Sequence, residues 1–512
     1  MSKKILFIVG VFCLTISAKT KQPINEMVIN TNLGKETINK YIYGHFAEHL
    51  GHCIYGGIWV GLNSPIPNTR GIRNDVIDAL KALQIPVLRW PGGCYADTYH
   101  WMDGIGPSDQ RPKIVNTTWG GVTEDNSFGT HEFLDLCELI GAEPYIAVNV
   151  GSGTVKEARE WMEYVNSDNN SPMADLRRLN GCDKPWKVKF WGIGNESWGC
   201  GGNMNPDYYS DLFKQFSTFC NADFKVISGG TPDDLGWTET IMKNLKNYKQ
   251  LVQGYSFHYY TVCYDWNHKG SATDFTEKEW FNTLKNTGNV DETLNSHIKI
   301  MDKYDPEKKI ALIADEWGNW YDVEPGTNPA FLFQQNTLRD AVTAGLFLNI
   351  FNNHCDRIKM ANIAQTVNVL QAMILTNDKD IVLTPTYYVF KMFKVHQDAT
   401  LLPIEMKSQD YIFGTEKIKA ISVSASKDKN NKIHISLVNL DPNKNQEISC
   451  KIEGIRTVKI NTEIITADKM NAYNDFGKPE EVRPTKYDGV KLESNNLTVN
   501  LPAKSVLMIE LY

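Results

Sequence analysis

Two kinds of apolar spacing divide the chain. From Tyr43 to Leu383 short apolar runs alternate with stretches whose apolar residues recur at helical spacing. Beyond Leu383-Thr-Pro-Thr they fall at every second position. The first pattern predicts a parallel α/β fold, in which each strand is followed by a helix that carries the chain back beside it. The candidate strands are Tyr43–His49, Val87–Gly93, Glu143–Gly151, Lys187–Glu196, Phe224–Gly230, Gly254–Tyr260, Lys309–Glu316 and Arg357–Gln365. Eight strands close a (β/α)8 TIM barrel. Helical spacing is clear over Ile72–Gln84, and over Gly129–Ile140 with Phe133, Leu136, Cys137 and Ile140 on one side.

The second pattern, in Ile418–Ser426, Lys432–Leu440, Val458–Ile465 and Ser505–Leu511, predicts an all-β sandwich of jelly-roll type, with turns at Asp428–Asn431 and Asp441-Pro-Asn. Met27-Val-Ile near the N-terminus also alternates and is expected to add a strand to it. The predicted division is a leader at 1–18, the strand-adding segment at 19–40, the barrel at 41–385 and the sandwich at 386–512. A barrel of that length exceeds the roughly 250 residues usual for the fold, so the excess belongs in loops. Two loops look enlarged, Tyr99–Gly129 and Tyr264–Gly288. The second carries Trp266, Phe275, Trp280 and Phe281. They read equally as walls of a substrate groove or as self-packed loops.

Polarity gathers where barrel strands end, which is where this fold builds its active sites. Lys187-Val-Lys-Phe-Trp-Gly-Ile-Gly stops in Asn195-Glu196 and a glycine-rich turn, and Lys309-Ile-Ala-Leu-Ile-Ala-Asp stops in Glu316-Trp-Gly. Two carboxyl groups delivered by different strands suit glycoside hydrolysis, which needs one protonated and one ionised carboxyl on opposite sides of a sugar. Glu196 is the candidate acid/base and Glu316 the candidate nucleophile, its charge favoured by Arg89 and Tyr260. Arg89 reads either as a buried brace for a carboxylate or as a sugar ligand. His258 reads as an orienting partner of Glu316 or as a core histidine. Trp198 and Trp317, each near a candidate glutamate, either line the pocket or pack beneath it. Asn149 is a candidate supporting amide.

Composition changes this picture little. With 42% hydrophobic and 22% charged residues the chain is globular, and a net charge of −7 without a basic block argues against nucleic acid as a partner. No His, Cys, Asp or Glu spacing suggests a metal, and no cofactor is expected. Met1–Ala18, a basic start, an apolar run and a small-residue end, reads as a secretory signal peptide cleaved after Ala18, giving a secreted or periplasmic protein. No later run is long enough to insert in a membrane. The ten cysteines are irregularly spaced, so buried free thiols are the default, with one bridge at most in an oxidising compartment.

The runs Gly44-His-Phe-Ala-Glu48-His-Leu-Gly-His, Leu88-Arg-Trp-Pro-Gly-Gly, Asp103-Gly-Ile-Gly-Pro, Gly192-Ile-Gly-Asn-Glu196-Ser-Trp-Gly-Cys-Gly-Gly and Ala361-Asn-Ile-Ala-Gln365-Thr-Val-Asn resemble the α-L-arabinofuranosidases of glycoside hydrolase family 51. The resemblance spans nearly the whole mature chain. It implies a barrel with a β-sandwich built from the C-terminal region and an N-terminal strand. It also implies retaining, exo-acting release of terminal α-L-arabinofuranosyl groups from arabinoxylan, arabinan or derived oligosaccharides, without metal or cofactor. Glu196 and Glu316 keep their roles, and Glu48, Asn195, Tyr260 and Gln365 would contact arabinose hydroxyls, with Arg89 and His258 beside them. Where the family often has Asn after Pro-Gly-Gly, this chain has Cys94, so any sugar contact there passes to the thiol or the Gly92-Gly93-Cys94 backbone. Members are often homo-oligomers, hexamers among them. The rival readings are another retaining specificity on the same scaffold, such as β-xylosidase or endo-glucanase, and a non-catalytic carbohydrate-binding protein.

Overall fold

The computed structural model describes residues 25–454 and 459–512; the Met1–Ala18 segment lies outside them. The barrel strands are β1 (Gly44–Phe46), β2 (Val87–Trp90), β3 (Glu143–Val148), β4 (Phe190–Ile193), β5 (Phe224–Ile227), β6 (Gly254–Thr261), β7 (Ala311–Asn319) and β8 (Ile358–Ala364). Each pairs in parallel with the next, and β8 pairs with β1 to close the ring. Several predicted strands run past the observed ones at their C-terminal ends. Glu48, Gly92, Asn195 and Gln365 leave the sheet, because their backbone and side chains serve the mouth of the barrel instead of the ladder.

Inside the ring Val87, Tyr145, Phe190, Val226, Ala311, Ile313 and Met360 form a separate buried cluster that fills the barrel. The ladder around β7 is irregular. Between β6 and β7 the register passes from Ser256 opposite Ile313 to His258 opposite Glu316, and between β7 and β8 from Ala314 opposite Ala361 to Trp317 opposite Ile363. On both sides β7 carries one residue more than its neighbour, so it bulges around Asp315. The strict inward-outward alternation is broken there, and both Asp315 and Glu316 meet the site.

Among the described residues the β-rich C-terminal region holds two main sheets, of six and five strands, and a small one that pairs Asp410–Phe413 with Glu416–Lys419. The predicted alternating strands appear as Ile421–Lys427, Ile433–Asn439, Ile460–Ile465 and Ser505–Leu511 in a six-stranded sheet. In the other main sheet Asn25–Asn30 runs parallel to Gln446–Glu453 and antiparallel to Ile404–Lys407. The six-stranded sheet meets the barrel through the helix Leu338–Asn353, which is buried on all sides except at its last residue. Its polar residues are buried too, Asp340 accepting from Asn319 and Asn349 donating to Ser422, so no face is left to solvent. Here it touches barrel strands β7 and β8 as well as three strands of the sheet.

The enlarged loops divide in role. Trp119 and Trp266 reach the cavity described below. Phe275, Trp280 and Phe281 do not: Phe275 lies 3.7 Å beneath Arg339, Trp280 donates to the Leu440 carbonyl at 2.9 Å, and Phe281 packs on Tyr411 at 5.2 Å. The helix Glu277–Gly288 turns Trp280 and Phe281 toward the C-terminal region, so these rings brace the molecule and form no groove wall. Trp280→Ala is expected to cost about 3–5 kcal/mol of stability, read as a lower thermal midpoint. An unchanged midpoint would show that this contact holds nothing together.

Candidate active site

A cavity of about 810 Å³ opens at the C-terminal ends of the barrel strands. Of the residues predicted to act there, Glu48, Cys94, Glu196, His258, Tyr260, Glu316 and Gln365 line it. Arg89 and Asn195 lie behind its wall, both almost fully buried. The two candidate glutamates converge. One carboxylate oxygen of each, together with a ring nitrogen of His258, falls within 4.8 Å of the others. That separation is of the order used by retaining glycosidases, about 5–5.5 Å between carboxyl groups.

Glu316 is held from both sides. Arg89 donates to its Oε1 at 2.8 Å and the Tyr260 hydroxyl donates to its Oε2 at 2.8 Å. Burial, then the charge of Glu316, pushes the Tyr260 phenol well above its ordinary range, so it remains a donor. Gly93 lies close to the same carboxylate: a Cβ there would come within 2.6 Å of Oε1. Only glycine leaves that oxygen open on this side.

Glu196 follows β4 and has a left-handed backbone, φ 39°, uncommon for a residue with a Cβ. Its carbonyl accepts from the N–H groups of Gly199 and Gly201 at 2.7 and 3.1 Å, closing the glycine-rich turn that aims the side chain into the cavity. His258 Nδ1 lies 2.9 Å from Glu196 Oε1 and 3.6 Å from Glu316 Oε2, so the histidine expected to orient Glu316 is bonded chiefly to Glu196. Burial pulls the imidazole down, but Glu316, Asp315 and Glu196 more than offset it, raising it to about 10. His258 is therefore a cation at neutral pH and donates to Glu196.

Glu48 accepts from Gly93 N–H at 2.9 Å, Trp119 Nε1 at 3.1 Å and Gln365 Nε2 at 2.9 Å. Burial, then repulsion from Glu316, raises its carboxyl to about 7. Asn195 turns its carbonyl oxygen to Arg89 at 2.7 Å. The remaining open readings resolve simply. Arg89 is a brace, Trp198 lines the cavity and Trp317 is packed against Phe347, Phe351 and Phe390 beneath it. Asn149 fastens its own loop through Ser152 and Gly153.

Pattern reading missed three groups. Asp315 accepts from Ser256 at 2.6 Å and Tyr145 at 2.7 Å and lies 3.4 Å from His258 Nε2 and 3.7 Å from Arg89. Burial raises its carboxyl, but Arg89 and His258 outweigh that and hold it near 2. The β7 bulge hid it, since a period of two places neighbours on opposite faces. Trp119 and Trp320 come from loops without a pattern. Cys94 is bridged to Cys200, with a Cα–Cα distance of 5.5 Å, so it offers the cavity a disulfide sulfur and no thiol. Seven other cysteines among the described residues are free, as the default reading expects.

The pairing of Asp315 with His258 has a measurable consequence. An imidazole raised from 6.5 to about 10 on folding contributes stability that is complete below pH ~6.5 and is lost as pH rises through about 10. In Asp315→Asn the His258 titration followed by NMR should move down from about 10, and the alkaline fall in thermal midpoint should begin at lower pH. An unmoved His258 titration would remove Asp315 from this role.

Comparison with known proteins agrees with the geometry. Residues 79–271 match the family model for the alpha-L-arabinofuranosidase 1 domain, and residues 315–505 that for the alpha-L-arabinofuranosidase C-terminal domain. An intracellular exo-alpha-L-arabinofuranosidase of Bacteroides ovatus is 52% identical over 517 residues, covering all of both chains. The chain belongs to the α-L-arabinofuranosidases of glycoside hydrolase family 51. Solved members of family 51 superpose closely. The arabinofuranosidase of Xanthomonas axonopodis pv. citri has a TM-score of 0.94 at 46% identity, over 96% of this chain and 100% of that one. The Thermotoga maritima α-L-arabinofuranosidase, solved as an arabinose complex, has a TM-score of 0.84 at 31% identity over 95% and 99%. This family 51 chain is therefore a glycoside hydrolase, and the (β/α)8 barrel with a β-rich C-terminal domain is its family's fold. One expectation is overturned. The Bacteroides relative, aligned along the full chain, is named as intracellular, which contradicts a secreted or periplasmic location and leaves the signal-peptide reading of Met1–Ala18 without support. A basic start and an apolar run are compositional cues only. Among the described residues no helix is long and apolar enough to cross a membrane.

Proposed function

We propose that Glu316 and Glu196 carry out a retaining double displacement on α-L-arabinofuranosides. The single observation that carries this reading is the approach of their carboxylate oxygens, within 4.8 Å, from strands on different sides of one cavity. The activity itself, exo-acting hydrolysis of terminal α-L-arabinofuranosyl groups, follows from membership of the family. Glu316, held by hydrogen bonds from Arg89 and Tyr260, attacks the anomeric carbon, and Glu196 gives its proton to the departing oxygen. In the second step Glu196 takes a proton from the water that attacks the ester and releases arabinose. Glu48 and Gln365, bonded to each other on the cavity wall, offer polar atoms to sugar hydroxyls, as do Tyr260 and the Asn195 amide behind them.

The substrates we infer are arabinose-bearing oligosaccharides derived from arabinoxylan or arabinan, in keeping with the intracellular name of the Bacteroides relative. Homo-oligomeric assembly, with a hexamer as the first alternative to check by light scattering, belongs to the same reading. So does the division into a barrel at 41–385 and a sandwich at 386–512. Initial rates on nitrophenyl arabinofuranoside, xyloside and cello-oligosaccharides, with NMR of the first anomer released, test the specificity and stereochemistry. Faster xyloside than arabinofuranoside cleavage, or an inverted first product, would overturn this assignment.

A further inference from the structure

The disulfide is placed where the reaction is read to take its proton. Cys94 follows β2 and Cys200 sits in the turn after β4, so the bridge joins the loop that approaches Glu316 to the one that carries Glu196. Glu196 uses Oε1 for His258, while its Oε2 lies 3.6 Å from the sulfur of Cys200 and 3.9 Å from that of Cys94. Among the described residues Oε2 has no hydrogen-bond donor while the bridge is intact, because a disulfide sulfur carries no proton. A tetrahedral zinc with Zn–S near 2.3 Å and Zn–O near 2.1 Å sets oxygen and sulfur about 3.6 Å apart and its two sulfurs about 3.8 Å apart. The oxygen-to-sulfur spacings, 3.6 Å to Cys200 and 3.9 Å to Cys94, are close to that value with the bridge intact. Only the sulfurs must separate, and their Cα atoms, 5.5 Å apart, can stay in place while the side chains rotate.

We propose that Cys94 and Cys200, once reduced, form with Glu196 Oε2 a binding site for a thiophilic divalent cation such as zinc, which occupies the acid/base position of the cavity. Reduction by a dithiol is balanced: the reductant closes to its cyclic disulfide and its two protons pass to Cys94 and Cys200. Zinc then displaces two protons as two Zn–S bonds form, with Glu196 Oε2 as third ligand and water from the cavity as fourth. His258, bonded to the other oxygen of Glu196, orients that carboxylate toward the metal. Cys200 is exposed and Cys94 half-buried, so both reductant and ion have access. The effect on turnover rests on the acid/base reading of Glu196, whereas the binding itself does not.

The test compares the oxidised enzyme with enzyme reduced by dithiothreitol and freed of reductant under nitrogen, both titrated with zinc. Reduced enzyme is expected to bind one zinc per chain through these residues and to lose turnover by about a hundredfold, within the range acid–base catalysis supplies. A chelator should restore it. Cobalt in place of zinc should give thiolate-to-metal charge-transfer absorption in reduced protein alone, and Cys200→Ser should abolish that absorption and the tight zinc binding. Equal zinc uptake by oxidised and reduced enzyme, no uptake after reduction, or undiminished binding in Cys200→Ser would overturn the site. Zinc bound through both thiolates with turnover unchanged would uphold the site and overturn the role of Glu196.

Discussion

Glu316→Ala is expected to hydrolyse arabinofuranosides about four orders of magnitude more slowly than the parent enzyme, the scale on which loss of a covalent nucleophile acts. Its thermal midpoint should stay close to that of the parent. The substitution removes the acceptor of Arg89 and Tyr260 but leaves Asp315 to neutralise Arg89, 3.7 Å away. Arg89 and His258 therefore each keep a carboxylate partner, Asp315 and Glu196, while the reaction loses the atom that attacks carbon. The space vacated beside Gly93 also admits a small anion. Added azide should then recover part of the turnover and give an arabinosyl azide of inverted configuration, because attack comes directly from the Glu316 side. Activity within tenfold of the parent would remove the nucleophile assignment.

Glu196→Ala should separate substrates by leaving group. A natural glycoside needs its oxygen protonated and should lose two to four orders of magnitude, the usual contribution of a general acid. A dinitrophenyl arabinofuranoside needs little protonation. Its first step should be nearly unaffected, so a burst of phenolate precedes a slow steady state limited by the missing base. Azide should speed that steady state and yield a product of retained configuration. Equal pre-steady-state losses on both substrates would contradict the acid role. His258 adds a check, since its Nδ1 would lose its partner at 2.9 Å. Its titration midpoint should fall below about 10 in this variant.

Much of this site was legible in the sequence because barrel strands announce themselves as apolar runs and their polar last residues sit at the mouth. Glu196, Glu316, Tyr260 and Gln365 all follow that rule, and Arg89 and Tyr260 flank Glu316 as expected. The reading weakened where regular periodicity does. The bulge in β7 concealed Asp315, the group that fixes both cations of the site, because an extra residue turns two consecutive side chains the same way. His258, read as a partner of Glu316 or as a core histidine, lies 3.6 Å from Glu316 but bonds to Glu196 at 2.9 Å, since strand spacing gives the side of the barrel but not which of two neighbouring carboxylates a ring nitrogen meets first. Trp119 reaches the cavity, and Cys200 reaches Cys94, from loops, where only folding brings distant positions together. In the C-terminal region four strands of the six-stranded sheet were found, and the two-residue strands Thr400–Leu401 and Thr485–Lys486 were too short to show a period. The partner strand Gln446–Glu453 was passed over, although Ile448, Cys450 and Ile452 alternate, because its exposed face is charged.

Trapping the covalent intermediate tests the central claim most directly. Glu196→Ala mixed with dinitrophenyl α-L-arabinofuranoside, quenched in acid during the burst and digested, should yield a peptide spanning Ala314–Trp317 that carries one pentosyl group esterified to Glu316. A pentosyl group on Glu48 or Asp315, or a burst of phenolate with no labelled peptide, would contradict the account.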